Sequence, residues 1–415
     1  MDHFCPPQTL AGETERPVND WSLGYRKTVQ LAYVLVLVLL AIFLIVQSRP
    51  LNPRWTGTHW LFTYEFGFIK RGLVGTLVSP ILALSTFEQL DRLSVATGVV
   101  TLTAFIWWIL RPLWPEGLSL HLTLWFMLSI LHSGTLQNFW YDPLRFDQIN
   151  LWILLTALAV TAKARFPIST VAVGVLGGVS LLVHEAAFFT TIPVMLGALL
   201  LRVPVTSSGS GWRQVGALAM LFTISTWIIG VYGRLPMEWE AYLTHLQSRV
   251  EFGIEAPAIM VLTSSLGEDI QFALSHLTRR IVLQGHVLLT FLMLPTAVVF
   301  IGLFRDLCTL PDPPLPKRLG LLFLAALGPL ALYGVGLDFF RWWALATVNA
   351  FVVTAWLCRV RPDCVGIIEQ GVRSRRIWVI AAIVVSILFG PMGVYYGFPE
   401  AIWENLSMTS VSSHQ

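Results

Sequence analysis

Four stretches of the chain set acids, guanidines and an imidazole into otherwise apolar sequence. Residues 64–72 hold Glu65, Lys70 and Arg71. Residues 141–148 hold Asp142, Arg145 and Asp147. Residues 183–188 hold His184 and Glu185, and residues 337–343 hold Asp338, Arg341 and Trp342. Planar guanidinium groups suit two-point recognition of phosphate or carboxylate, so Arg71, Arg145 and Arg341 are candidate phosphate clamps, with Lys70 beside them. Glu65, Asp142, Asp147, Glu185 and Asp338 are candidate general bases, and their oxygens are compatible with a divalent cation. His184, if neutral, is a candidate base near neutral pH. No ligand spacing of the HExxH kind occurs, so no metal ligand is assigned.

Each stretch also has a plainer reading. Asp142 with Arg145, and Asp338 with Arg341, stand three residues apart, a spacing that pairs them on one helix. Glu65, Lys70 and Arg71 suit an interfacial anchor, with the long basic side chains reaching water. His184 and Glu185 are adjacent, so they point to different partners. The four stretches come from distant parts of the chain, and a shared site requires a fold that brings them together.

That fold is all-α. Of the 415 residues, 55% are hydrophobic and 12% charged, about half the usual charged share, and the mean hydropathy is +0.69. So few charges cannot cover a water-exposed surface, so most of the surface must face lipid. A cytosolic enzyme, a disordered chain, a disulfide-built secreted module and a nucleic-acid binder are excluded. Apolar stretches predict eleven transmembrane helices, a polytopic bundle, because in lipid every backbone amide must bond within its own segment. Their cores are 28–47, 95–112, 118–137, 149–162, 168–183, 187–203, 212–232, 285–304, 318–336, 340–357 and 376–396.

The organisation that follows is a cytoplasmic tail at 1–27, a transmembrane domain at 28–396 and an outer tail at 397–415. The first span reads as a retained signal anchor. Residues 71–88 open with charges and contain Pro80. Read as interfacial or re-entrant, they leave most of the 27 lysines and arginines on the cytoplasmic side, as the positive-inside rule asks. The four charged stretches then share the outer face. Cys5, Cys308, Cys358 and Cys364 fall on the inner side, where thiols stay reduced. Outer loops at 48–94 and 233–284 carry interfacial helices, the second with amphipathic segments at 237–246 and 267–283. Trp140, Trp342 and Trp343 adjoin the charges and are candidates for stacking on sugar rings.

In layout the chain resembles the GT-C glycosyltransferases: a cytoplasmic N-terminus, one span, then an outer loop with interface helices and an acid, here Glu65. Its charged outer loops also look like those of O-antigen polymerases of the Wzy type. The resemblance implies a multi-pass enzyme of a bacterial inner membrane. Its partners would be a polyprenyl-phosphate- or pyrophosphate-linked sugar donor, a glycan acceptor and membrane lipid. Glu65 or Asp147 would be the base, and His184 and Glu185 would orient the acceptor. The three arginines would hold the phosphate. A secondary transporter or flippase of an anionic or lipid-linked substrate is the alternative, and a membrane acyltransferase using His184 a further one. A transporter would favour charges at mid-helix and two matching halves. This chain has charges at helix ends and no visible repeat.

Overall fold

The computed structural model describes residues 54–82, 84–114, 118–203, 208–277, 280–310 and 315–393. The expected first span, 28–47, both terminal tails and Cys5 lie outside them. The described residues form helices and contain no strand.

Among the described residues two short helices come first, α1 (Arg54–His59) and α2 (Gly72–Val78), with a 3-10 turn at Tyr64–Phe66 between them. At seven residues α2 is about 10 Å long, far short of a bilayer. Next comes α3 (Phe87–Leu110), whose start is fixed by a capping box. Gln89 N–H donates to Thr86 Oγ1, and Thr86 N–H donates back to Gln89 Oε1, so two otherwise unpaired amides are satisfied. The expected 118–137 span is broken: α4 (Leu120–Leu131) ends at extended His132, and α5 (Leu136–Tyr141) follows. Then come α6 (Phe146–Lys163) and α7 (Phe166–Val183), the latter opening on Pro167 and ended by His184 in extended conformation. The expected 187–203 span is likewise split, into α8 (Ala187–Thr190) and α9 (Ile192–Arg202).

Helix α10 (Ser208–Tyr232) lies at the periphery, with 17% of its apolar window buried. The 233–284 loop holds α11 (Trp239–Gln247), α12 (Ala256–Met260) and α13 (Leu266–Leu277). Helix α14 (Arg280–Leu307) contains Pro295. Helix α15 (Leu315–Ala326) meets the 3-10 segment Gly328–Gly334 at a 46° bend. Helix α16 (Phe339–Val360) is the axis of the bundle, with 78% of its window buried. It is followed by α17 (Asp363–Ser374) and α18 (Arg376–Phe389).

Five of these helices (α3, α7, α10, α14 and α16) are long and apolar enough to cross a membrane, or six if the bent pair at 315–334 is one span. That composition marks a multi-pass membrane protein. Of the expected eleven, 28–47 lies outside the described residues; among the other ten, several stretches are broken by turns at residues 132–135, 191 and 327, because apolar content alone does not give helix length.

Three polar contacts fix α16 at the centre. Trp356 Nε1–H donates to Leu158 O at 2.9 Å, Trp108 Nε1–H to Val352 O at 3.2 Å, and Asn349 Nδ2–H to Thr190 O at 2.6 Å. They join α6, α3 and α8 to the axial helix. As a result the start of α6, the end of α7 and the start of α16 lie at one end of the bundle. The segment from α1 to α2 lies against that end. Trp60 Nε1–H reaches Leu144 O at 2.8 Å, and Lys70 N–H reaches Gly233 O at 2.7 Å.

Candidate functional site

Arg71 is placed by backbone geometry. It stands before α2 with φ 65°, the one non-glycine residue with positive φ among the described residues. Such a conformation costs of order 1 kcal/mol and persists only where the surroundings impose it. The surroundings here are close contacts. A Cβ on Gly75 would stand 2.1 Å from Phe62 O and 2.7 Å from Trp60 O, so α2 lies directly on the 60–62 backbone. Tyr64 N–H donates to Thr76 Oγ1 at 2.9 Å, closing the same loop. Held this way, Arg71 Nε–H reaches both carboxylate oxygens of Glu185 at 3.1 and 3.2 Å, and Nη2–H reaches Oε1 at 2.5 Å.

Arg341, on the first turn of α16, is buried and fully engaged. Its Nε–H and Nη2–H donate to the two oxygens of Asp147 at 2.6 and 2.9 Å, and Nη1–H to Asp338 Oδ2 at 2.7 Å. Arg145 pairs with Asp142 and reaches Asp338 Oδ2 at 3.4 Å. The turn carrying Asp142 and Arg145 is itself pinned: Gln148 Nε2–H donates to Phe139 O and Asp142 O, and Thr101 Oγ1–H to Gln148 Oε1. Both i,i+3 pairs foreseen from the sequence therefore form. Asp147–Arg341 and Asp338–Arg145 join them into one network, and His184 links that network to Arg71–Glu185.

His184 and Glu185 do serve different partners. The Ala186 N–H donates to His184 Nδ1 at 3.1 Å, so Nδ1 carries the lone pair and the neutral ring holds its proton on Nε2. That Nε2 faces Arg341 Nη2 at 3.4 Å. Burial lowers the His184 pKa to about 3, and the Arg71 and Arg341 charges add to the effect, against Glu185 and Asp147. His184 is thus a neutral donor, and its basic nitrogen is already engaged by backbone, unlike the general base that the sequence suggested. Burial pushes the Glu185 carboxyl up, but the Arg71 charge, with Lys70 adding to it, holds it well below its ordinary range.

Glu65 lies apart from this network, and Lys70 borders it. Glu65 is half-exposed, and its Oε2 accepts from Arg249 Nη1 at 2.9 Å, with His245 Nε2 at 3.5 Å. It ties the first loop to α11, whose Tyr242 and Leu246 pack on Phe62 and Ile69. The amphipathic face expected at 237–246 is therefore covered by protein. Lys70 makes a long contact to Ser264 O at 3.5 Å, with Glu185 and Arg71 in electrostatic reach. Trp342 is buried, its ring 4.8 Å from the Arg341 guanidinium, so it presents no open face to a sugar. Trp343 Nε1–H is bonded to Tyr333 Oη at 2.7 Å, and the Trp140 ring packs on Gly98.

The sequence reading missed His59. It is buried at the end of α1, its ring tilted against Phe62 and Phe146, with Arg71, His184, Arg145 and Glu185 in electrostatic reach. It also missed the layer one turn below. There Ser180 Oγ–H donates to Asn150 Oδ1 at 2.8 Å and meets Thr191 Oγ1 at 3.0 Å. Asn150 follows Asp147 by three residues and Ser180 precedes His184 by four, and those helical spacings were the available signal.

No group of three His, Cys, Asp or Glu suited to a metal occurs among the described residues; the four acids of the network face guanidinium groups. A cavity of about 210 Å³ adjoins the first loop, lined by Trp60, Thr63, Leu84, Leu246 and Arg249. No protein-family model, curated protein or solved structure matches the chain.

Proposed function

We propose that the protein is an integral membrane glycosyltransferase or polysaccharide polymerase. It would move sugar from a polyprenyl-phosphate- or pyrophosphate-linked donor to a glycan acceptor at the outer face of the cell membrane. The reading assumes a cytoplasmic N-terminus. The observation that supports it most is that Arg71, Arg145 and Arg341, from three distant segments, lie at one end of an apolar bundle in ion pairs with Glu185, Asp338 and Asp147, with His184 against Arg341. Guanidinium groups at a buried site stabilise the charge that grows on a leaving phosphate. Glu185 is the most exposed acid of the network, its side chain 25% accessible, and takes the acceptor's hydroxyl proton. Asp147, gripped by Arg341, and Asp142, gripped by Arg145, orient the guanidines. Glu65 fastens the loop.

Proteoliposomes supplied with a radiolabelled polyprenyl-phosphate sugar test this. Arg71→Ala and Glu185→Gln should each abolish labelled product at normal protein level, and wild-type product from both rejects the assignment.

The charge balance supports a second reading. Lys70, Arg71, Arg145 and Arg341 face Asp142, Asp147, Glu185 and Asp338, a neutral buried network of the kind that transporters rearrange. Substrate-driven uptake into the same vesicles without product would favour it.

A further inference from the structure

The ion pairs occupy only part of the donor capacity around the network. Nη1 of Arg71 and Nη2 of Arg145 make no hydrogen bond among the described residues. The Nε2–H of His184 faces another donor, Arg341 Nη2; two donors 3.4 Å apart are satisfied only by an acceptor placed against both. His59 Nε2 and Trp342 Nε1 are buried with no partner among the described residues, in residues 8% and 5% exposed. Orphaned buried polar atoms are rare, because each forfeits the hydrogen bonds that water would make. These groups come from five segments: α1 (His59), the turn before α2 (Arg71), the turn before α6 (Arg145), the end of α7 (His184) and the first turn of α16 (Trp342). Helices α6 and α16 both begin at this point, and the partial positive charge of helix starts favours an anion.

We propose that this is an oxyanion subsite for a phosphate group, in which His59 and the Nε2–H of His184 are direct ligands beside the free edges of Arg71 and Arg145. It rests on the reading of the network as a phosphate site, though not on the transfer of sugar. The carboxylates hold the opposite edges of the guanidines, so the arginines are aimed before the anion arrives. A tetrahedral phosphate has enough oxygens for two guanidinium edges and two imidazoles at once, whereas a carboxylate has two. Both histidines are kept neutral by burial, followed for each by the nearby Arg71 charge. A neutral imidazole donates one hydrogen bond without adding a charge to a network already balanced.

The test is binding of farnesyl phosphate, farnesol and inorganic phosphate to the full-length protein in micelles, followed by tryptophan fluorescence. His59→Phe keeps the ring packing on Phe62 and Phe146. His59→Gln restores a donor and guards against a folding artefact. Farnesyl phosphate should bind, and H59F should weaken it about ten-fold, the loss of one charge-assisted bond, while H59Q recovers most of it. Competition by inorganic phosphate that H59F also weakens assigns the subsite to free phosphate. Resistance to that competition assigns it to a lipid headgroup. The proposal is overturned if H59F binds farnesyl phosphate as wild type does while Arg71→Ala loses it, or if farnesol binds as tightly as farnesyl phosphate. Histidine-dependent binding without any glycosyl transfer would remove the enzymatic reading and leave the subsite standing.

Discussion

Replacing Arg341 by methionine should destabilise the protein strongly, and replacing its partner too should reverse most of the loss. The guanidinium makes two bonds to Asp147 and one to Asp338, all between 2.6 and 2.9 Å, with side-chain exposures of 9% and 8% for Arg341 and Asp147. In Arg341→Met, Asp338 keeps Arg145, but Asp147 becomes a buried carboxylate with no cation gripping it. Removing one member of a buried pair costs about 3–5 kcal/mol, whereas an apolar pair of similar volume is close to neutral. The double variant Asp147→Leu with Arg341→Met should therefore return to within about 1 kcal/mol of wild type, a coupling of at least 2 kcal/mol. Methionine fills most of the arginine's volume, so a cavity contributes little. Reversible SDS unfolding in micelles measures all four corners of the cycle. The reasoning fails if Arg341→Met alone costs under about 1 kcal/mol, or if the double variant is as unstable as the single. Both variants should lack sugar transfer, and the double variant then shows inactivity in a well-folded protein.

The pH dependence follows from the histidines. The folded pKa of His184 lies at about 3 against 6.5 for the free side chain, so the unfolded chain takes up the proton first. Stability should be full above pH 6.5 and fall below it by about 1.4 kcal/mol per unit for each such histidine; His184→Gln should flatten the slope in unfolding curves between pH 6.5 and 5, and an unchanged slope would show that His184 is not buried neutral. Gly75→Ala should cut transfer at least about ten-fold by lifting α2 off the 60–62 backbone, while Gly178→Ala, with open space at its Cβ, serves as the tolerated control. Glu65→Gln should leave transfer within about three-fold of wild type, since Glu65 bonds Arg249 outside the network; complete loss would restore it as the base. A cysteine at exposed Gly253 should react with reagents confined to the outside and one at exposed Gly366 with reagents from the cytoplasm, and the reverse pattern inverts the proposed orientation.

Much of the site could be read along the chain because the membrane makes charge costly. Asp142, Arg145, Asp147, His184, Glu185, Asp338 and Arg341 stand out where almost every neighbour is apolar, and all of them meet. The direction of the pairing was less visible. The i,i+3 spacing announced Asp142–Arg145 and Asp338–Arg341, but Arg341–Asp147 spans 194 positions and no local rule points to it. His59 escaped notice because it sits among Trp55, Thr56, Gly57, Thr58 and Trp60 with no acid on its helix, and its surroundings depend on Phe146 reaching it from another segment. Glu65 was read without its partner: its acid character was plain, while Arg249 lay in a different loop. Helix count was legible only coarsely, since hydropathy does not register an extended residue such as His132 or the break at Thr191 until the backbone is seen.

The placement of Arg341 also sets an order of events during synthesis. Arg71 and Glu185 are both made by the middle of the chain, and Asp142 and Arg145 find each other within one turn. Asp147 and the donor face of His184 have to wait for the first turn of α16, which leaves the ribosome more than 150 residues later. Until then the half-made bundle carries an uncompensated acid at one end, and that end cannot close dry. Insertion of the axial helix and completion of the charged cluster are therefore one step, so a nascent chain stalled before residue 338 should be an insertion intermediate that proteolytic quality control can recognise.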